Sequence, residues 1–120
     1  AYDQALRAPY AGVTHAERAM IAYAVGCRYQ KDFKRPGDYV GLTSEPQAER
    51  AKQLGSAMRL GAIFSGRSGP ILRRAKLSRD GEKLCLSVRK ADEAMISETV
   101  SRRLAQTANA LRLQPDIRID

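Results

Sequence analysis

The segment over residues 32–43 most constrains the fold, because it places Pro36, Gly37 and Gly41 among polar residues near the first third of a 120-residue chain. Proline and glycine both interrupt helical hydrogen bonding, so no long regular element is expected to cross it. Upstream, apolar residues recur at helical spacing; downstream, helical spacing returns and then gives way to alternation typical of strands. We therefore predict an α+β fold, with a helical piece and linker over residues 1–43 and a small α+β domain over residues 44–120.

Two helices are predicted around this segment. Residues 1–8 are interpreted as the end of a helix that begins upstream. A helix over 14–30 should begin at a capping box, in which the Thr14 hydroxyl accepts from the backbone of Glu17. Its apolar face has helical spacing and consists of Ala16, Ala19, Met20, Tyr23, Ala24 and Cys27.

A long helix is predicted over residues 45–65, beginning at a second capping box formed by Ser44 and Gln47 and ending before Gly66. One face is rich in small residues, which lets a neighbouring helix approach closely. The residues of this face are Ala48, Ala51, Leu54, Gly55, Met58 and Ala62.

The remaining sequence predicts a three-stranded antiparallel or mixed sheet packed with two helices. Strands are expected over residues 71–77, 83–88 and 115–119, and a helix over 97–112. Asp80-Gly81 between the first two strands favours a type I′ hairpin turn. In the second strand, Leu84, Leu86 and Val88 should face the core while the alternate side chains face water.

Positive charge is concentrated in one part of the chain. The net charge is +8, yet residues 50–112 alone carry fourteen basic and five acidic side chains. Such a segment attracts anions, although charge runs also commonly serve only to keep a surface solvated. Arginine binds phosphate oxygens with two parallel hydrogen bonds, so we predict that Arg59, Arg67, Arg74 and Lys76 bind a polyanion, with Arg74 and Lys76 on one face of the first strand.

A catalytic set of residues is not apparent. His15 is the chain's only histidine, and Cys27 and Cys85 are far apart in apolar patterns that predict free, buried thiols. Clustered ligands for a metal ion are missing, so neither a metal nor another cofactor is predicted within this chain. No apolar run has the roughly 20 residues that span a bilayer.

Two motifs carry a resemblance to a known family. Residues 12–25 (GVTHAERAMIAYAV) look like the helical, HD-like region of the exopolyphosphatase / guanosine-pentaphosphate phosphatase family. Residues 57–67 (AMRLGAIFSGR) resemble that family's Leu-Arg-Leu helix with its trailing arginine, and the elements predicted after it have the family's order. The chain departs from the family pattern at Arg28-Tyr29, where a histidine is expected.

The resemblance implies a role in a larger cytoplasmic enzyme. Family members remove the terminal phosphate of polyphosphate, or the 5′ phosphate of guanosine pentaphosphate, with Mg²⁺ in actin-like catalytic domains that lie N-terminal to this region. The present chain would then be the non-catalytic C-terminal region of such a hydrolase, and it would contribute a polyanion-binding surface and the contacts of a homodimer.

Two alternatives remain open at this stage. The chain is a stand-alone RNA-binding module, or it is a structural dimerisation domain that associates through the small-residue face around Gly55. Binding of single-stranded nucleic acid commonly uses aromatic side chains that stack on bases, and the basic segment lacks interleaved aromatics.

Overall fold

The computed structural model describes residues 1–8, 11–66 and 68–120. It confirms an α+β fold that combines helices with one three-stranded mixed sheet. The elements in chain order are α1 (Tyr2–Arg7), α2 (His15–Tyr29), a 3₁₀ helix (Gly37–Leu42), α3 (Glu45–Ser65), α4 (Gly69–Arg74), β1 (Lys76–Asp80), β2 (Lys83–Val88), a 3₁₀ helix (Lys90–Met95), α5 (Glu98–Ala110) and β3 (Gln114–Ile119).

Internal contacts divide the chain into two compact units, Ala1–Ser56 and Ala57–Asp120, so the division falls within α3. The domain boundary that composition places between residues 43 and 44 stays a prediction. The 3₁₀ helix Gly37–Leu42 forms inside the segment that the sequence predicted to be a loop.

The first unit is built on helices whose beginnings follow the predicted capping. The Thr14 hydroxyl accepts a hydrogen bond of 3.1 Å from the backbone N–H of Glu17. At the start of α3, the backbone N–H of Ser44 donates to Oε1 of Gln47 at 2.9 Å. The backbone N–H of Gln47 donates in turn to Oγ of Ser44 at 3.3 Å. Each pair satisfies backbone donors that a helix N-terminus otherwise leaves open, which is why both helices begin where the sequence predicts.

The core of the second unit lies between one face of the sheet and two helices. β1 pairs with β2 antiparallel, and β2 pairs with β3 parallel. The buried residues of this core come from α3, β2 and α5 and are Leu60, Phe64, Leu84, Leu86, Val88, Val100, Leu104 and Ala108. The predicted core face of β2 is thus confirmed.

The region before the sheet differs from the prediction. Residues 71–77 were expected to be a strand, but α4 occupies Gly69–Arg74 and β1 begins only at Lys76. Proline has a fixed φ that suits the first turn of a helix, and Pro70 lies there, so the local sequence nucleates a helical turn before the chain extends.

The hairpin turn also differs. Asp80 and Lys83 are Cα partners, so Gly81 and Glu82 form the two-residue loop. Gly81 has a φ of +60° and Glu82 does not have a positive φ. A glycine with positive φ at the first loop position alone is the pattern of a type II′ turn, so the predicted type I′ turn is wrong.

The helix cap of α5 provides a stability test within this unit. The Ser97 hydroxyl accepts from the backbone N–H of Val100 at 3.1 Å. We expect Ser97→Ala to lower the free energy of unfolding by about 1 kcal/mol, because it leaves that donor without its cap. Urea denaturation measures the change. Ser101→Ala in the same helix is the control and should change stability by less than about 0.5 kcal/mol; equal losses would contradict the capping role.

Candidate polyanion-binding surface

Arg74, one of the four predicted anion-binding residues, is bound to a carboxylate. It lies in the last turn of α4 and donates from Nε to Oδ2 of Asp92 at 3.1 Å and from Nη2 to Oδ1 at 3.0 Å. Arg89 Nε lies 3.6 Å from the same carboxylate. Hydrogen bonds from Arg74, aided by the charge of Arg89, hold the pKa of Asp92 below its usual range, although burial opposes this effect.

This ion pair joins two short helices of the second unit. Asp92 is buried in the 3₁₀ helix Lys90–Met95, eighteen residues along the chain from Arg74. A bidentate arginine–carboxylate pair is directional as well as strong, so it fixes α4 against that 3₁₀ helix. The prediction that Arg74 and Lys76 share a strand face is wrong, because Arg74 is helical.

The Arg74–Asp92 pair predicts a pH dependence of stability. The folded-state pKa of Asp92 is depressed, so its contribution is complete above the unfolded pKa of about 4 and is lost as pH falls through the folded pKa. We therefore expect Asp92→Asn to lower the melting temperature at pH 7, with the difference from the parent chain shrinking below about pH 4.

Circular dichroism melts from pH 7 to pH 2 measure this difference. Glu93→Gln is the matched control, because Glu93 lies in the same 3₁₀ helix and makes an exposed ion pair with Lys90 at 3.0 Å. It should have little effect at any pH, since exposed pairs contribute little. A pH-independent loss in Asp92→Asn would contradict the ionic origin.

The other predicted anion-binding residues have different surroundings. Lys76 is exposed at the start of β1 and forms no ion pair within the described part of the chain. Arg59 lies half-buried on α3. Arg67 lies outside the described residues, so its predicted role stays a prediction.

Several other cations of the second unit are matched by acidic neighbours. Their ion pairs are Arg89–Asp92, Lys90–Glu93, Arg102–Glu98 and Arg118 with both Asp80 and Asp116. Exposed cations that form no ion pair with a described residue are Arg73, Lys76, Arg79, Lys83 and Arg112.

Two of these unmatched cations, Arg73 and Lys76, flank Arg74 where α4 meets β1. Ala75 caps α4 in an extended conformation and carries the chain directly into the strand. We call the set Arg73, Arg74 and Lys76 the junction. It presents two cations with no acidic partner in the described chain, beside an arginine whose charge Asp92 already balances. Sequence reasoning named Arg74 and Lys76 but missed Asp92, because nothing local marks a partner eighteen residues away.

The sheet surface opposite the core carries mixed charge. Cα partners in neighbouring strands place their side chains on the same face. By this register the outer face consists of Lys76, Ser78, Asp80, Lys83, Cys85, Ser87, Gln114, Asp116 and Arg118. The face of β2 that was predicted to be solvent-exposed is only partly so, since Cys85 is 0% exposed.

A single arginine holds this outer face together. Arg118 on β3 donates to Asp116 at 3.1 Å and to Asp80 on β1 at 2.8 Å, so its side chain links the two outer strands across β2. These bonds lower the pKa of Asp80 and raise that of Arg118. The buried thiol of Cys85 lies 3.8 Å from Asp116 Oδ2. The Arg118 charge is therefore neutralised and does not add to the anion-binding cations.

The histidine and the two thiols considered for catalysis lie on α2 and β2. His15 is exposed in the first turn of α2. Both thiols are free, and burial raises the pKa of Cys27, which favours the protonated and less nucleophilic form. Within residues 1–8, 11–66 and 68–120 no group of three or more potential metal ligands occurs.

No helix in the described part of the chain is long and apolar enough to cross a membrane.

The small-residue face of α3 packs within the chain. A Cβ added at Gly55 would lie 2.4 Å from Cys27 Cβ and 2.7 Å from the carbonyl oxygen of Ala24, both on α2. The predicted neighbouring helix is therefore α2 of the same molecule. The contact between copies that was predicted through the Gly55 face stays a prediction, although α2 of the same chain lies against Gly55 itself.

Neither a scan against protein-family models nor a search of curated proteins finds a match to this chain. The resemblance described above thus rests on the motifs over residues 12–25 and 57–67 and on the order of the elements after them.

Proposed function

We propose that this chain is the non-catalytic C-terminal region of an exopolyphosphatase-like phosphohydrolase of the cytoplasm, and that it binds polyphosphate. In this proposal the parent enzyme hydrolyses the terminal phosphate of polyphosphate or of guanosine pentaphosphate in N-terminal actin-like domains, which hold Mg²⁺. The present chain supplies a docking surface for the polyanion and contacts of a homodimer.

The observation that carries the docking role is the unbalanced charge of the junction. Arg73 and Lys76 are exposed and have no ion-pair partner in the described chain. Exposed cations that are not internally paired can neutralise phosphates of a polyanion and release the counterions condensed on it, which gives a favourable entropy of binding. Arg74 between them would bind phosphate only at the cost of its bonds to Asp92, so we assign it a positioning role.

Polyphosphate fits this surface better than RNA does. Within residues 57–120 the sequence contains one aromatic residue, Phe64, and its side chain is 2% exposed. Base stacking on aromatic side chains supplies about 1–3 kcal/mol per base in single-strand binding. The junction offers cations without aromatic side chains, so it suits polyphosphate, which carries negative charge but has no bases to stack.

The experiment is a titration of the 120-residue chain with long-chain polyphosphate at several salt concentrations. We expect tight binding at low salt. The logarithm of the binding constant should fall linearly with the logarithm of the salt concentration, with a slope of roughly −0.7 for each phosphate contact if the polymer behaves as a single-stranded nucleic acid does. The double variant Arg73→Gln/Lys76→Gln should reduce the slope by about one to two and lower low-salt affinity at least tenfold.

The matched control is Lys90→Gln/Arg102→Gln, which removes the same charge from exposed residues paired with Glu93 and Glu98. It should weaken binding much less. Equal losses in the two doubles would show that binding follows net charge rather than the junction. Absence of binding at low salt would remove the docking role, and stronger binding to single-stranded RNA of equal charge would favour the RNA-binding alternative.

The enzymatic half of the proposal has separate tests. The purified chain should not release phosphate from polyphosphate in the presence of Mg²⁺, and the coding sequence upstream of the Ala1 codon should encode an actin-like phosphatase region. Turnover by the chain alone, or an upstream region of another kind, would contradict the assignment.

A further inference from the structure

β1 is an open edge of the sheet. Among the described strands it pairs only with β2, and four of its five residues are exposed. The opposite edge, β3, contains Pro115, which lacks a backbone donor. An exposed edge presents a row of hydrogen-bonding groups to which another strand can pair. β1 is therefore the edge at which the sheet can be extended.

The backbone groups available at this edge follow from the hairpin. Asp80 and Lys83 close the two-residue turn and so form a hydrogen-bonded pair. Hydrogen-bonded and non-hydrogen-bonded pairs alternate along an antiparallel ladder. The N–H and C=O groups of Leu77 and Arg79 consequently point away from β2, toward the open edge.

The sequence of β1, Lys-Leu-Ser-Arg-Asp, is complementary to itself. In an antiparallel pairing of two copies centred on Ser78, Leu77 of each copy lies opposite the other's Arg79, so the outward backbone groups form four hydrogen bonds. Lys76 of each copy then lies opposite the other's Asp80, at both ends of the pairing. Opposite charges directly across a ladder stabilise it.

Side-chain exposure supports the same pairing. Lys76 and Asp80 share the outer face, where Asp80 receives a hydrogen bond from Arg118 at only one of its oxygens, Oδ2. On the other face Leu77 is 41% exposed. In the centred pairing Leu77 meets the aliphatic stem of the opposite copy's Arg79, which covers apolar surface that the single chain leaves in water.

We propose that β1 is a homotypic pairing edge, through which two copies of this chain join their sheets into one six-stranded sheet centred on Ser78. The inference rests on the proposed function, since it supplies the dimer contact that the proposed role includes. In the paired state Asp80 of the second copy lies opposite Lys76, so Arg73 is then the junction cation without an acidic partner in the described chain. The partner strand is β1 of a second copy rather than an unrelated peptide. In an antiparallel pair of identical strands, the basic end of each β1 lies opposite the acidic end of the other.

Sedimentation equilibrium of the 120-residue chain over a wide concentration range, without polyphosphate, tests the pairing. Lys76→Glu and Asp80→Lys each place two like charges opposite one another at both ends of the paired strands. Each variant should therefore weaken dimerisation by about tenfold or more. The double variant Lys76→Glu/Asp80→Lys exchanges the charges and should restore dimerisation. Arg112→Glu, which makes the same change of charge at an exposed residue outside the three strands, is the control and should dimerise like the parent chain.

A second measurement fixes the register. In a Cys27→Ala/Cys85→Ala background, Ser78→Cys should form an intermolecular disulfide on oxidation, since directly opposite Cβ atoms are roughly 4.5–5.5 Å apart. Arg79→Cys should not. A chain that stays monomeric, a double variant as weak as the single ones, or equal cross-linking of both cysteines would overturn the proposal.

These outcomes separate the two proposals. A monomeric chain that binds polyphosphate overturns the pairing edge and leaves the docking role intact. A chain that dimerises with the predicted charge dependence but ignores polyphosphate supports the pairing edge and overturns the docking role.

Discussion

Phe64→Ala should lower the free energy of unfolding by about 3–5 kcal/mol, the largest loss expected from one side-chain truncation in this chain. Phe64 is 2% exposed and lies in the core of the second unit with Leu60, Val100 and Leu104. Removing its ring forfeits the hydrophobic burial and leaves a cavity that close-packed neighbours fill only in part. Urea denaturation followed by circular dichroism measures the change.

The neighbouring residue in α3 supplies the control. Ile63 precedes Phe64 in the helix and is 41% exposed. Ile63→Ala gains helix propensity and removes a side chain that water already reaches in part, so it should stay within about 1 kcal/mol of the parent chain. Similar losses at both positions would mean that α3 is stabilised as an isolated helix and not by packing of its Phe64 face.

The sequence predicted the long elements well because their signals are local. Capping by Thr14 and by the Ser44–Gln47 pair, and a positive φ of 56° at Gly66 after α3, match the structure. Helix propensity, caps and apolar spacing act within a few residues, so no tertiary information is needed to read them.

The pattern along α3 was only half predicted. Ala48, Ala51 and Gly55 are buried as expected, whereas Leu54 of the same predicted face is 48% exposed. Farther along, the buried residues are Leu60 and Phe64, and Phe64 was not part of the predicted face. A single stripe was assumed for the whole helix. The two halves belong to different compact units, and each half buries the residues that its own unit covers.

The candidate site could be predicted less well than the fold. Arg74 was identified from its charge, but its binding to Asp92 depends on α4, a six-residue helix whose pattern resembles a strand, and on a carboxylate distant in sequence. Arg118 and Asp80 likewise lie 38 residues apart. Charge composition shows how many cations a segment carries, whereas tertiary pairing decides which of them remain available to a ligand.

Gly55→Ala should destabilise the chain although alanine is the better helix former. The added Cβ would lie 2.4 Å from Cys27 Cβ and 2.7 Å from the Ala24 carbonyl oxygen, and backbone cannot move aside as a flexible side chain can. Overpacking of this kind costs about 1–3 kcal/mol or more, against a propensity gain of about 1 kcal/mol. We expect a net loss, because relieving the overlap requires α2 and α3 to separate along their contact.

Gly61→Ala, in the same helix, should have the opposite sign. A Cβ at Gly61 would meet Leu72 at 3.5 Å, an ordinary van der Waals distance, so the propensity gain is expected to survive as a stabilisation of about 0.5–1 kcal/mol. Urea denaturation measures the free energy of unfolding of Gly55→Ala and Gly61→Ala, which make the same chemical change at two positions of one helix. A stabilised Gly55→Ala would mean that the close approach of α2 and α3 is absent in solution, and the Gly55 face would again be available to a second copy.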